Sequence, residues 1–293
     1  MCRFLCYLGP PVLLADWLYH PGNSLILQSF KARERVEPLN GDGFGVGWYA
    51  PEISSTPCVF TSVTPAWSNQ NLRNLADHIK SPCFFAHVRA ASPGMRVAEA
   101  NCHPFQYGRY LWMHNGAIEG FQLIKRGLRE SLTDHLYEAI EGTTDSEHAF
   151  MVFLNLLGDT DRVVTAKEIG DKLVKTVLQL ERCTAAAGVL GHSYYNFTVT
   201  DGHSIAALRY VSDPRLEPIS LYYSSGPNSH DGVGVHGPHV IIASERLTEP
   251  KRDWIRVAPN HILTLTSDLE VTVDLLEFER SNVHGSREDE QRF

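Results

Sequence analysis

The chain has 293 residues, 43% of them apolar and 20% charged, a balance that suits a folded globular protein and excludes a largely disordered or collagen-like one. Twenty-six Lys and Arg against 34 Asp and Glu leave a formal net charge of −8, which argues against a nucleic-acid coat or a polybasic membrane binder and favours small molecules or proteins as partners. No apolar run reaches the roughly 18 residues that a membrane-spanning helix needs.

The stretch from Met1 to His20 is apolar, but its double proline and Asp16 do not suit a signal peptide. Six cysteines without a C-x-x-C pair point to a reducing, cytoplasmic compartment. Strand-like runs rich in aromatic and β-branched residues follow at Arg3–Leu8, Gly43–Tyr49, Cys58–Val63, Cys83–Ala90 and Arg109–His114, so the first half reads as mostly β. Between Glu119 and Cys183 the apolar period lengthens. Ala149, Phe150, Phe153, Leu154 and Leu157 recur at helical spacing, as do Ile169, Leu173, Val177 and Leu180. Alternation returns in Phe197–Thr200, Ser204–Tyr210, Ile219–Tyr223, Val240–Ala243 and Ile262–Val273, so strands flank a helical block on both sides. That order predicts an α+β domain of two packed sheets with outer helices. Ser225–Gly237 reads as a long loop and 281–293 as a mobile tail, which leaves 2–280 as a single domain.

Cys2 is the most informative residue. Removal of Met1 would leave a thiol and an α-amine on one residue, and an amine with a pKa of about 7.7–8.0 can serve as general base for its own thiol. A cysteine at position 2 also arises by chance. Arg89, in the His87–Gly94 segment after a buried strand, has the planar fork that suits a substrate carboxylate, but a structural arginine at a strand end has the same signature. His114-Asn115-Gly116 carries a turn signal, and equally an Asn amide beside a Gly N–H, the two donors of an oxyanion hole. Asp145, ahead of a helical run, is a cap alongside Thr144 or a partner for a substrate ammonium. The histidines are scattered without an H-x-x-x-H pair, so no metal is expected, and the glycine-rich Gly41–Gly45 lacks the lysine and spacing of a phosphate loop.

Taken together, Cys2-Arg3-Phe4-Leu5, Asn40–Trp48, Pro65–Ser68, His87–Ala91, Asn101–Phe105, His114–Gly116 and Thr144–Glu147 resemble class II glutamine amidotransferases. More narrowly they resemble the stand-alone group that includes the ergothioneine-pathway amidohydrolase and the glutathione-degrading amidotransferase. Ala243–Leu247 and Trp254 look like that group's late motif. The resemblance implies a four-layer αββα N-terminal-nucleophile (Ntn) hydrolase fold and a γ-glutamyl amide substrate. It implies Cys2 as nucleophile, Asn115 and Gly116 as oxyanion hole, and Arg89 and Asp145 as holders of the substrate carboxylate and ammonium. His103 either approaches the site or fixes the Asn101–Phe105 loop. Ser92-Pro93 departs from the Thr-His of many synthase-linked members. No cofactor is expected. Two partner arrangements stay open, a γ-glutamyl hydrolase acting alone and a glutaminase passing ammonia to a separate synthase or peptidase subunit; a silent binding subunit is the remaining alternative.

Overall fold

Along strand β1 (Arg3–Leu13), Phe4, Cys6 and Leu8 point to one face and Leu5 and Tyr7 to the other, and all five are buried. A strand covered on both faces reads as a continuous apolar run, which is why Phe4–Leu8 shows no polar alternation. The computed structural model describes residues 2–34, 38–91, 94, 96–226, 237–249 and 251–276. Ser92-Pro93, most of the Ser225–Gly237 loop and the 281–293 tail lie outside the described residues.

β1 is central in a seven-stranded antiparallel sheet with β2 (Phe44–Trp48), β3 (Cys58–Ser62), β4 (Lys80–Val88), β9 (Tyr222–Gly226), β10 (His239–Ala243) and β11 (Ile255–Arg256), in the order β11-β9-β10-β1-β4-β2-β3. A second sheet of six strands runs β13-β12-β8-β7-β6-β5. Its members are β5 (Phe105–Tyr107), β6 (Tyr110–Ala117), β7 (Tyr194–Thr200), β8 (Ile205–Val211), β12 (His261–Leu265) and β13 (Val271–Leu275).

Three apolar layers hold these sheets. Phe4, Cys6, Phe85, Met113, Ala207 and Ile242 pack between them. On the outer face of the first sheet, Tyr7, Phe84 and Ile241 meet Trp17 of helix α1 (Leu14–Leu18), Leu25 of α2 (Leu25–Lys31) and Leu72 of α3 (Gln70–Ala76). Outside the second sheet, Trp112, Phe197 and Leu208 meet α4 (Phe121–Glu130), α6 (Asp145–Leu157) and α7 (Ala166–Ala186), with the short α5 (Asp134–Glu138) beside them. Helix, sheet, sheet, helix is the αββα order expected. Among the described residues no helix is long and apolar enough to cross a membrane.

Several local expectations need correction. The first half holds three short helices, α1 to α3, that the dominance of strand signals hid. The alternation of Ile262–Val273 belongs to two strands joined by a turn over Thr266–Glu270, in which Leu269 takes a φ of 65°. Asn115-Gly116 is no turn: both residues lie inside β6 and pair with Asn196 and Tyr195.

Candidate active site

At one end the inter-sheet layer changes from apolar to polar. Phe4 of β1 and Gly45 of β2 both pair with His87 of β4. Cys2 lies one residue before β1, and Cys2, His87, Asn115 and Asn196 are all buried at this end. Polar groups gathered at the edge of a closed core call for partners of their own, because an unpaired buried donor or acceptor costs about 1–3 kcal/mol.

The Cys2 thiol is seated on the turn that follows β4. Ala90 N–H donates to Cys2 Sγ at 3.5 Å, and Sγ lies 3.6 Å from Ala90 O. Asp42 fixes that turn from the other side. Its N–H donates to Arg89 O at 3.0 Å, and its carboxylate accepts Ala91 N–H at 2.8 Å. The segment before β2 is thereby stitched to the segment after β4; the Asp42–Gly47 segment reads from sequence as a strand on the pocket floor, but Asp42 precedes the strand and braces the turn.

Arg89 is 3% exposed. Its guanidinium donates to Asp42 O at 3.4 Å and Arg96 O at 3.2 Å, and among the described residues no carboxylate forms an ion pair with it. A buried cation satisfied only by carbonyl dipoles retains its attraction for an anion.

Asn115 is fully buried, with Nδ2 3.4 Å from Ser244 Oγ and Oδ1 without a protein partner. Ser244, just past β10, also accepts Phe4 N–H at 3.0 Å and donates its own N–H to Phe4 O at 3.1 Å. Asn115 is thus held against the start of β1, where Cys2 lies. At Gly116 a Cβ would overlap Tyr194 O and come within 2.5 Å of His114 Nε2, so only glycine lets β7 approach.

The two readings of the Thr144–Asp145 pair separate in the structure. Thr144 caps α6, its hydroxyl accepting Glu147 N–H at 3.2 Å. Asp145 instead reaches across to the residue just past β6, where Oδ2 accepts Ile118 N–H at 2.8 Å, two residues beyond Gly116. Asn101 completes the frame by donating to Arg96 O at 3.0 Å and accepting Thr143 N–H at 2.8 Å, which links the Arg89 turn to the start of α6.

His103 packs in the wall behind these groups. Its ring stacks on His87 with centroids 4.2 Å apart and meets Phe105 edge-on at 4.6 Å, and neither nitrogen has a protein partner. Burial pushes His103 well below the usual histidine range and His87 down to about 3, aided by the positive charge of Arg89. Both rings are neutral at pH 7. Cys102 nearby is pushed up to about 11 by burial, against the pull of Arg89, so its thiol stays protonated. Gly45 and Gly47 of β2 face this wall: a Cβ at Gly45 would overlap His103 O, and one at Gly47 would come within 2.8 Å of Leu111 and 2.9 Å of Pro104. The glycine-rich segment thus serves close approach of the two sheets.

Cys2, Arg89, Asn115, Gly116 and Asp145, which lie up to 143 positions apart in sequence (145 − 2), therefore converge on one end of the sandwich through Ala90, Ser244 and Ile118. Comparison with known proteins places the chain in a family. The model of the family "Glutamine amidotransferases class-II" matches residues 19–283. A probable glutamine amidotransferase of Saccharomyces cerevisiae, DUG3, is 38% identical over 296 residues, covering 90% of this chain and 82% of that protein. The gamma-glutamyl-hercynylcysteine sulfoxide hydrolase of Mycolicibacterium smegmatis is 29% identical over 243 residues, covering 83% of this chain and 99% of that one. Among solved structures, a glutamine aminotransferase class-II domain protein from Silicibacter pomeroyi superposes with a TM-score of 0.68 at 26% identity, over 93% of this chain and 97% of that one. With two antiparallel sheets between helices, a family match across most of its length and a relative 38% identical over 90% of the chain, this protein is an enzyme and belongs to the class II glutamine amidotransferases.

Proposed function

We propose that this enzyme hydrolyses a γ-glutamyl amide through Cys2, exposed as the N-terminal residue once Met1 is removed. The α-amine of Cys2 takes the thiol proton, and the sulfur attacks the side-chain carbonyl carbon of the substrate. Asn115 Nδ2 and the Gly116 N–H donate to the oxyanion. As the C–N bond breaks, the ammonium of Cys2 returns its proton to the leaving amine, and a γ-glutamyl thioester remains. Water then adds to the thioester with the same amine as base, and glutamate departs as the thiol is restored.

Arg89 grips the α-carboxylate of the substrate and Asp145 its ammonium, so the site reads an amino-acid zwitterion at the end remote from the scissile bond. His103 belongs to the supporting wall. The observation that carries this reading is the buried, carboxylate-free Arg89 guanidinium one residue from the amide that seats the Cys2 thiol. The mycobacterial relative, a hydrolase of a γ-glutamyl compound by name, supports the substrate class.

A second reading, release of ammonia from glutamine for a separate partner, draws support from the glutamine amidotransferase name of the yeast relative. Purified protein assayed alone against glutamine and a panel of γ-glutamyl amines separates the two. The hydrolase reading expects kcat/KM for some γ-glutamyl amine far above that for glutamine. Glutamine as best substrate, with activity rising only when a second protein is added, would replace it with the donor reading.

A further inference from the structure

Arg3 and Glu245 are 0% and 1% exposed and form an ion pair at 2.8 Å, although 242 residues separate them. Fastening β1 to the end of β10 does not explain the rest of the geometry. The guanidinium uses a second nitrogen, Nη1, to donate to Cys2 O at 2.9 Å, and a third, Nη2, to reach Glu34 O at 3.4 Å. The carboxylate in turn is held at both oxygens. Oε1 also accepts Glu34 N–H at 3.1 Å, and Oε2 accepts Arg33 N–H at 3.0 Å and Asn23 Nδ2 at 3.3 Å. Burial alone would raise the Glu245 pKa, but Arg3 and the two backbone amides hold it below the usual carboxylate value, so the pair is ionised.

We infer that Glu245 and Arg3 act as a positioning pair for the nucleophile: Glu245 orients the Arg3 fork, and the fork fixes the Cys2 carbonyl. The inference rests on Cys2 being the nucleophile, as proposed above. Cys2 lies before the first ladder pair of β1, Arg3 with Val88, so the sheet itself does not hold it. The peptide plane between Cys2 and Arg3 sets where the Cys2 α-carbon stands, and that carbon carries both the thiol and the amine. The Arg3 hydrogen bond fixes the plane, and Ala90 N–H fixes the thiol, so the amine is left in one place relative to the sulfur. Only a planar fork reaches Glu245 and the Cys2 and Glu34 carbonyls at once. A lysine ammonium has no such geometry.

The pair also opens a route outward. Glu245 lines a cavity of about 410 Å³ on the helix side of the first sheet, together with Asn23, Arg33, Glu34, Arg246 and Lys251. The segment after α2 therefore touches solvent on one side and, through Glu245 and Arg3, the nucleophile's backbone on the other.

The test measures covalent labelling of Cys2 by a glutamine-analogue chloroketone, with the maximal rate and half-saturating concentration fitted separately, and thermal stability recorded in parallel. Removing one partner leaves a buried unpaired charge, so the informative variant is the double Arg3→Met, Glu245→Met, which replaces the pair with apolar side chains. At a temperature well below the Tm of every variant, positioning predicts a maximal labelling rate at least tenfold lower and an unchanged half-saturating concentration. Glu245→Gln, which keeps the volume and one acceptor, should show the same split to a smaller degree; Arg3→Lys should not restore the rate. If both the double variant and Glu245→Gln label at the wild-type rate, or if rate simply follows Tm across the set, positioning is overturned and the pair only fastens strands. Failure of the wild-type protein to label at Cys2 would instead remove the nucleophile assignment itself, and this inference with it.

Discussion

Ala90 and Cys2 meet where two strand ends come together: the Ala90 amide donates to the Cys2 sulfur at 3.5 Å, one residue from the buried guanidinium of Arg89. The seat depends on Asp42, whose carboxylate accepts Ala91 N–H at 2.8 Å. Losing a hydrogen bond to a charged group costs about 1.5–3 kcal/mol. Asp42→Ala should therefore lower kcat/KM by at least roughly tenfold. Wild-type kinetics in this variant would show that the turn holds without Asp42.

Substrate-holding and transition-state groups should separate kinetically. Arg89→Lys loses the fork and Asp145→Asn the full charge, and each should reduce kcat/KM by about 10- to 150-fold, mainly through KM. Asn115→Ala should lower kcat by about 100- to 1,000-fold with KM nearly constant, because the oxyanion exists only after attack. Steady-state kinetics on the best γ-glutamyl amine decide between these patterns. A rise in KM without loss of kcat in Asn115→Ala would remove it from the oxyanion hole.

The close approach of the sheets at β2 predicts unequal costs for two neighbouring glycines. At Gly45 an added methyl meets the His103 carbonyl, which is backbone, whereas at Gly47 it meets Leu111 and the Pro104 ring. Overpacking costs typically about 1–3 kcal/mol, with Gly45→Ala expected at or above the top of that range and Gly47→Ala lower. Urea denaturation of the two variants checks the order, and equal stability would show that the His103–Pro104 segment gives way freely.

Buried histidines should make the fold acid-sensitive above the range where carboxylates titrate. His87 is held down to about 3 and His148 to about 4, in each case chiefly by burial, and His103 and His114 are lowered for the same reason. These groups bind protons when unfolded, near pH 6.5, but not when folded. The unfolded state thus holds more protons, and stability is full above about pH 6.5 and falls as pH drops toward the folded-state values. Each proton taken up adds a slope of about 1.4 kcal/mol per pH unit. Unfolding free energies at pH 7.5, 6.5 and 5.5 should show a small decline over the first step and a steeper one over the second; a flat profile down to pH 5 would mean that these rings open to solvent or protonate without unfolding.

Much of this architecture was legible in the sequence where the signal was local. The periodicity of Ala149–Leu157 and Ile169–Leu180 located α6 and α7, and the buried runs located the central strands. The site residues were legible as motifs, not as neighbours. Nothing local places Glu245 on Arg3, or Ser244 on Asn115, because those contacts span 242 and 129 residues. Asn115-Gly116 carries a turn signature that β7 overrides: Gly116 is required by the nearness of Tyr194 O, not by a turn. Short helices such as α1, with five residues, hold their place by packing rather than by any pattern long enough to read.

The assignment of Cys2 is tested most directly by mass spectrometry of the active protein before and after treatment with a glutamine-analogue chloroketone. The expected result is a chain that begins at Cys2, with one adduct that maps to Cys2 and complete loss of activity at one equivalent. An active chain that retains Met1, or an inactivating adduct on exposed Cys58, Cys102 or Cys183, would contradict the N-terminal-nucleophile mechanism.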